Sequence, residues 1–239
     1  MEKEWIVAYI YIFYLFLATL PQLTNVPGFN LGIPILVLIL LYFYHSYVKL
    51  KKSSALFFLI GFVLGYAFEY LGVHTGFPFG RYYYTSGLGY ELFGVPIIIP
   101  FLWATLSYFS YLPTKNLFLS PWFMVLIDLT VDPLFSRFDW HWITPGQYFG
   151  VPLTNFVSWY LISLLIYFIW KRRSKFEYDL KASLFVYGLI LDLALQDYFS
   201  GLVYPALISF LISSLTLGFL HILGSRLGNS KSVGEHEYN

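Results

Sequence analysis

The stretch Ser54-Ala-Leu-Phe-Phe-Leu-Ile-Gly-Phe-Val-Leu-Gly-Tyr-Ala-Phe-Glu-Tyr-Leu-Gly72 decides the fold. It is apolar on every side and carries one ionisable group, Glu69. A helix needs about 20 such residues to cross the hydrocarbon core of a bilayer. A helix without a polar stripe is also not a surface helix of a soluble protein. Outward from this run, comparable stretches occupy 5–20, 31–48, 95–111, 118–134, 153–170, 180–198 and 202–222. The expectation is an all-α polytopic transmembrane bundle of about eight spans built from helix hairpins. It fills residues 1–223 and is followed by a polar, unstructured cytoplasmic tail, 224–239. Composition agrees: 11% of residues are charged and 23% aromatic, where a soluble domain carries about a quarter charged.

A net charge of +1 offers no field for a polyanion, so nucleic acid is not an expected partner. The absence of cysteine excludes disulfides, thiolate metal sites and cysteine nucleophiles. The start, Met1-Glu2-Lys3-Glu4, is acidic as well as basic, and residues 5–20 are expected to be a retained first helix. Basic residues fall in every second connection. Lys49, Lys51 and Lys52 follow the second span and Lys115 the fourth; Lys171, Arg172, Arg173, Lys175 and Lys181 follow the sixth, and Arg226 and Lys231 the eighth. The positive-inside rule then puts both termini in the cytoplasm of a multi-pass cell-membrane protein. The two long loops, 73–94 and 135–152, fall together on the outer face.

Connections on that face end alike. Gly32-Ile33-Pro34, Gly94-Val95-Pro96 and Gly150-Val151-Pro152 each open a descending helix. Proline suits a first helical turn, which has no use for its missing N–H. Phe93-Gly-Val-Pro leads to Trp103, and Phe149-Gly-Val-Pro to Trp159, at identical spacing. This is a weak internal repeat of helix hairpins, and a parallel repeat would surround a shared central site.

Acids interrupt the spans: Glu69 in the third, Asp128 and Asp132 in the fifth, and Asp192 in the seventh, with Asp197 at the seventh's end. A charge in hydrocarbon costs at least ~2.5 kcal/mol, so such residues are functional candidates by default. Asp128 and Asp132, four apart, share one helix face. All lie toward the outer ends of odd-numbered spans, and are expected to converge on a cavity beneath the long loops. A carboxyl kept protonated by apolar surroundings is suited to act as a general acid. The bland alternative is structural pairing with Arg81, Arg137, His74 or His141, or with tyrosines. The loops add aromatic groups, His74 to Tyr84 with Arg81, Tyr82 and Tyr84, and Asp139-Trp140-His141-Trp142. An interfacial aromatic belt accounts for many of these rings, while rings around a cavity also stabilise cations.

No metal site is expected, because no histidine pair has helical ligand spacing. Asp128 and Asp132 could hold magnesium on a diphosphate, which would make a prenyl transferase, yet only Arg81 and Arg137 are available on that face to neutralise phosphate. Serine hydrolase, phosphate-loop and dinucleotide motifs are absent.

The stretch from Glu69-Tyr-Leu-Gly-Val-His-Thr-Gly-Phe-Pro-Phe-Gly-Arg-Tyr-Tyr-Tyr-Thr85 to Leu92-Phe-Gly-Val-Pro-Ile-Ile-Ile-Pro100 and Trp103 resembles the membrane carotenoid biosynthesis protein family. A second block resembles it too: Asp128-Leu-Thr-Val-Asp-Pro133, Trp140-x-Trp142, Tyr148-Phe-Gly-Val-Pro-Leu-Thr-Asn155 and Trp159. That family includes bacterioruberin-precursor hydratases of archaea and γ-carotene hydratases of bacteria. The resemblance implies hydration of the terminal double bond of an acyclic carotenoid without a cofactor. Water would be the co-substrate, and the polyene would lie between helices among membrane lipids. It implies Asp128 or Asp132 as the acid, with Glu69 and Asp192 stabilising the cation or orienting water. His74, Arg81 and His141 would organise the carboxyls. Tyr82, Tyr84, Trp103, Asp139, Trp140, Trp142, Tyr148, Asn155 and Trp159 would complete the site. The competing readings are a carotenoid cyclase or prenyl-transfer relative, and a non-enzymatic pigment- or lipid-binding protein. A transporter fits less well, because its site would lie nearer the midplane.

Overall fold

The computed structural model describes residues 2–23, 32–171 and 176–236. Among them are eight α-helices: α1 (Lys3–Leu23), α2 (Gly32–Leu50), α3 (Ser53–Thr75), α4 (Ile98–Tyr111), α5 (Ser120–Phe135), α6 (Leu153–Trp170), α7 (Leu180–Phe199) and α8 (Val203–His236). Six are long and apolar enough to cross a membrane. The protein is an all-α membrane bundle, with little sheet. Arg172, Arg173, Lys175 and residues 237–239 lie outside the described residues.

The two remaining helices, α4 and α5, have 14 and 16 residues. At ~1.5 Å per residue they span about 21 and 24 Å, less than the ~30 Å of a bilayer core. They are nonetheless the most buried helices: Trp122 and Val131 alone on α5 escape full burial. Other helices surround them, α3 and α2 against α4 and α6, α7 and α8 against α5. The bundle is therefore built around two short inner helices.

Close approach of α3 to α4 depends on small residues. The buried face of α3 is Phe57, Gly61, Gly65, Glu69 and Gly72, spaced at the helical period. A Cβ on Gly61 would lie 2.7 Å from the Ala104 backbone, and one on Gly65 2.5 Å from Trp103 Cβ. Small residues four apart are what lets membrane helices touch backbone to backbone. That approach carries Trp103 up to Glu69.

The long loops form a lid over one end. Strand β1 (Tyr82–Tyr84) pairs antiparallel with β4 (Trp140–Trp142), Tyr82 opposite Trp142 and Tyr84 opposite Trp140. Strands β2 (Glu91–Leu92) and β3 (Val95–Pro96) form a tight hairpin. Its turn residues Phe93 and Gly94 have φ of +50° and +78°, the left-handed pair of a type I′ turn. The second Phe-Gly-Val-Pro repeats it: Tyr148 bridges Val151 around Phe149 and Gly150 at φ +48° and +95°. The sequence repeat is thus a repeated hairpin.

Three expectations need correction. Pro96 belongs to β3 and Pro152 caps α6, so of the three repeated prolines only Pro34 lies in a first helical turn. The fourth helix begins at Ile98 rather than 95, because Val95 and Pro96 pair with β2. The last helix continues through Gly224 to His236, where an unstructured tail was expected. Its one proline, Pro205, sits in the first turn, and Gly224 packs under the ring of Tyr178.

The opposite end of the bundle is tied by charge: Lys49 pairs with Glu4 at 2.9 Å and also with Glu2, and Lys115 with Glu177 at 2.8 Å.

Candidate functional site

A cavity of about 150 Å³ lies beneath the lid, among α1, α2, α3, α4, α5, α6 and α7. Its wall is mainly apolar and aromatic, and Glu69, Asp132 and Asp192 enter it from three different helices. Each is at most 5% exposed, and each is held by neutral donors.

Glu69 accepts from the Tyr82 hydroxyl at 2.5 Å, the Tyr84 hydroxyl at 2.7 Å and the Trp103 indole at 2.8 Å. Strand alternation explains the first two: Tyr82 and Tyr84 point inward while Tyr83, between them, is exposed. Burial, with the Glu69 carboxyl beside them, holds both phenols well above the ordinary tyrosine value, so they remain donors.

Asp128 and Asp132 form the second group. The Asn155 side-chain amide, from α6, donates to both, at 2.7 Å to Asp128. Trp140 Nε1 donates to Asp132 at 2.7 Å. Asp132 lines the cavity, while Asp128 stands behind Asn155 with one oxygen unpartnered. The turn that carries them contains Pro133, which cannot donate to the Leu129 carbonyl; the Tyr148 hydroxyl takes that carbonyl at 3.2 Å. Tyr148 therefore supports α5 and does not line the cavity.

Asp192 accepts from Thr19 at 2.8 Å and from Gln196, one turn on, at 2.7 Å. The sequence reading missed both partners. Gln196 had a signal in its four-residue spacing from Asp192; Thr19, in α1, had none. Aromatic faces complete the wall: Trp103 and Trp159 lie 4.6 Å apart, and Trp140 and Trp142 descend from β4.

His74, Arg81 and His141 do not organise the carboxyls. His74 is exposed, bonds the Tyr70 carbonyl and stacks on the Tyr70 ring. Arg81 is exposed. His141 alternates outward on β4, opposite Tyr83, and bonds the Ser136 carbonyl. Asp139 stays in the lid against Gly87. Nor does Arg137 reach the cavity; it binds the Ser200 carbonyl. Among the described residues no lysine or arginine lines the cavity, and no group of three or more His, Cys, Asp or Glu side chains could hold a metal ion.

Fold and site together define a multi-pass membrane protein with a lidded, acid-bearing aromatic cavity. The sequence profile of the carotenoid biosynthesis protein family matches residues 29–220. The chain belongs to that family. A bisanhydrobacterioruberin hydratase of Haloarcula japonica is 30% identical over 109 residues, covering 40% of this chain and 37% of that protein. This chain therefore matches well under half the length of that relative. No solved structure matches the chain.

Proposed function

We propose that this protein hydrates the terminal double bond of an acyclic carotenoid end. The observation that carries the reading is the Asn155-bridged pair Asp128 and Asp132, of which Asp132 opens into an aromatic cavity. One carboxyl of such a pair serves as proton donor, and Asp132 is the one that lines the cavity. Its proton adds to the less substituted alkene carbon, and the electron pair of the double bond forms the new C–H bond. The tertiary cation left behind faces the rings of Trp103 and Trp159, whose π faces favour positive charge. Glu69, an acceptor for three donors, supplies the negative partner. A water held at Asp192, Thr19 and Gln196 attacks the cation, forms the C–O bond and gives a proton to the Asp192 carboxylate. The proton gained by Asp192 is passed through water back to Asp132, so both carboxyls are restored and the sum is alkene plus water to tertiary alcohol.

The hydratase relative supports this reading by its name, and the neutral, aromatic wall supports it by its chemistry. Prenyl transfer is less well served: a diphosphate would find no cationic side chain among the described lining residues. The site is proposed to lie near the outer face of the plasma membrane, with both termini cytoplasmic, because Lys49, Lys115 and Lys171 stand at the end opposite the lid.

Expression in bacteria that make lycopene tests the reaction. The expected pigment is heavier by one water at a reacted end. An isomer of equal mass would favour cyclisation, and unchanged pigment would remove the hydratase reading.

A further inference from the structure

The cavity is too small for a whole carotenoid. At about 150 Å³ it matches a space that accommodates a single benzene ring. An end group fits; the long chain must leave through the wall. A second apolar cleft meets that wall at one residue. It is an open groove of about 430 Å³ between α1 and α2, and Tyr11 lines both it and the cavity.

We propose that the α1–α2 groove binds the polyene chain of the substrate, with Tyr11 at the junction; the inference rests on the carotenoid reading above. The direction is right. The cavity takes Leu15 of α1 and Pro34, Ile35 and Leu38 of α2, all toward the lid. The groove continues from Tyr11 to Val7 on α1 and from Val37 to Tyr44 on α2, toward the opposite membrane face. The seven residue steps from Val37 to Tyr44 on α2 give it a length of about 10 Å. A chain whose end sits under the lid would therefore run down the bundle's flank into the bilayer.

The lining favours a flat conjugated chain over a bent acyl chain. Tyr11, Tyr14 and Tyr44 supply aromatic surface along a groove otherwise of aliphatic side chains, and the rings of Tyr11 and Tyr14 are 6.2 Å apart. Tyr11 is fixed at the junction by its hydroxyl, which donates to the Pro34 carbonyl at 3.0 Å. The outer walls are exposed where lipid would otherwise lie, Ile10 at 61% and Leu40 at 58%.

The test is equilibrium binding of lycopene to the purified full chain in lipid nanodiscs, read from the shift of the pigment's visible band. Leu40→Trp and Ile10→Trp each place a bulky ring in the groove from a lipid-facing position, outside the acid cavity. Each should weaken lycopene binding at least about tenfold, the loss expected when several buried carbons leave contact. Leu215→Trp, at an exposed position on α8, should bind as the native protein does. Wild-type affinity in both groove variants, the result expected if a membrane acyl chain occupies the groove, would overturn the proposal. Absence of lycopene binding by the native chain would overturn it too. Lycopene bound in the groove yet never hydrated would leave the groove standing and remove the hydratase reading.

Discussion

The rings of Trp103 and Trp159 lie 4.6 Å apart with their planes 32° from parallel. They occupy equivalent places in the two Phe-Gly-Val-Pro repeats, so the repeat converges on one aromatic pair. The acids follow the same arrangement. In the first half, α3 supplies Glu69, β1 supplies Tyr84 and α4 supplies Trp103. In the second, α5 supplies Asp132, β4 supplies Trp140 and α6 supplies Asn155. The antiparallel pairing of β1 with β4, centred on Tyr83 and His141, joins the halves. Where the second half presents Asn155 to two carboxyls, the first presents Ile99 at the equivalent step, so the halves are alike in build and different in chemistry.

The acids should separate by role. Asp132→Asn should lower hydration by about a hundredfold or more, the range for loss of a general acid. Asp128→Asn should act through the same bridge and also lower it. Glu69→Gln keeps the shape but sets an amide against three donors, and should lower it at least about tenfold. Protein yield in the membrane should hold for all three. Near-native conversion by Asp132→Asn would remove it as the acid.

Much of this was legible beforehand. The apolar runs gave the helices, and the cost of a carboxyl in hydrocarbon singled out the acids, of which Glu69, Asp132 and Asp192 line one cavity. What was hidden depended on contacts distant in sequence. Thr19 meets Asp192 across 173 residues, and no local pattern announces that. The alternation of β1 and β4 turned Arg81 and His141 outward, and strands of three residues leave little periodicity to read. The charged loop residues were therefore expected to organise the acids together with Tyr82, Tyr84, Trp103, Trp140 and Asn155, and only these neutral donors do so.

The α3–α4 contact should tolerate no larger side chain at Gly65. A Cβ there meets Trp103 at 2.5 Å, so Gly65→Val should cost about 1–3 kcal/mol through overpacking. Thermal unfolding in detergent reads this. Gly218→Val, where nothing lies within 4 Å, serves as the control and should melt near the native temperature.

The lid should loosen as pH rises. Burial raises the Asp139 carboxyl above its ordinary value of 3.8. A folded-state value above the unfolded one means the folded lid holds the proton more tightly. Stability is therefore lost as pH climbs from the ordinary carboxyl range through the raised value, and Asp139→Asn abolishes that loss. Hydrogen exchange of lid amides, corrected for intrinsic rate, should show lower protection at neutral pH than in acid for the native chain only.

The topology can be read with a chain that lacks cysteine. Tyr90→Cys, 73% exposed in the lid, should react with a membrane-impermeant maleimide on intact cells. Lys115→Cys, at the opposite end, should react only after permeabilisation. The reverse pattern would invert the proposed orientation.

Capture of water by a substrate cation is the central claim, and isotope incorporation tests it most directly. The purified protein is given lycopene in water labelled with heavy oxygen, and the product is analysed by mass spectrometry. The account predicts one heavy oxygen for every end that reacts, and a sharp loss of that product in Asp132→Asn. A product without the label, or an isomer of lycopene formed with no oxygen gained, would contradict it.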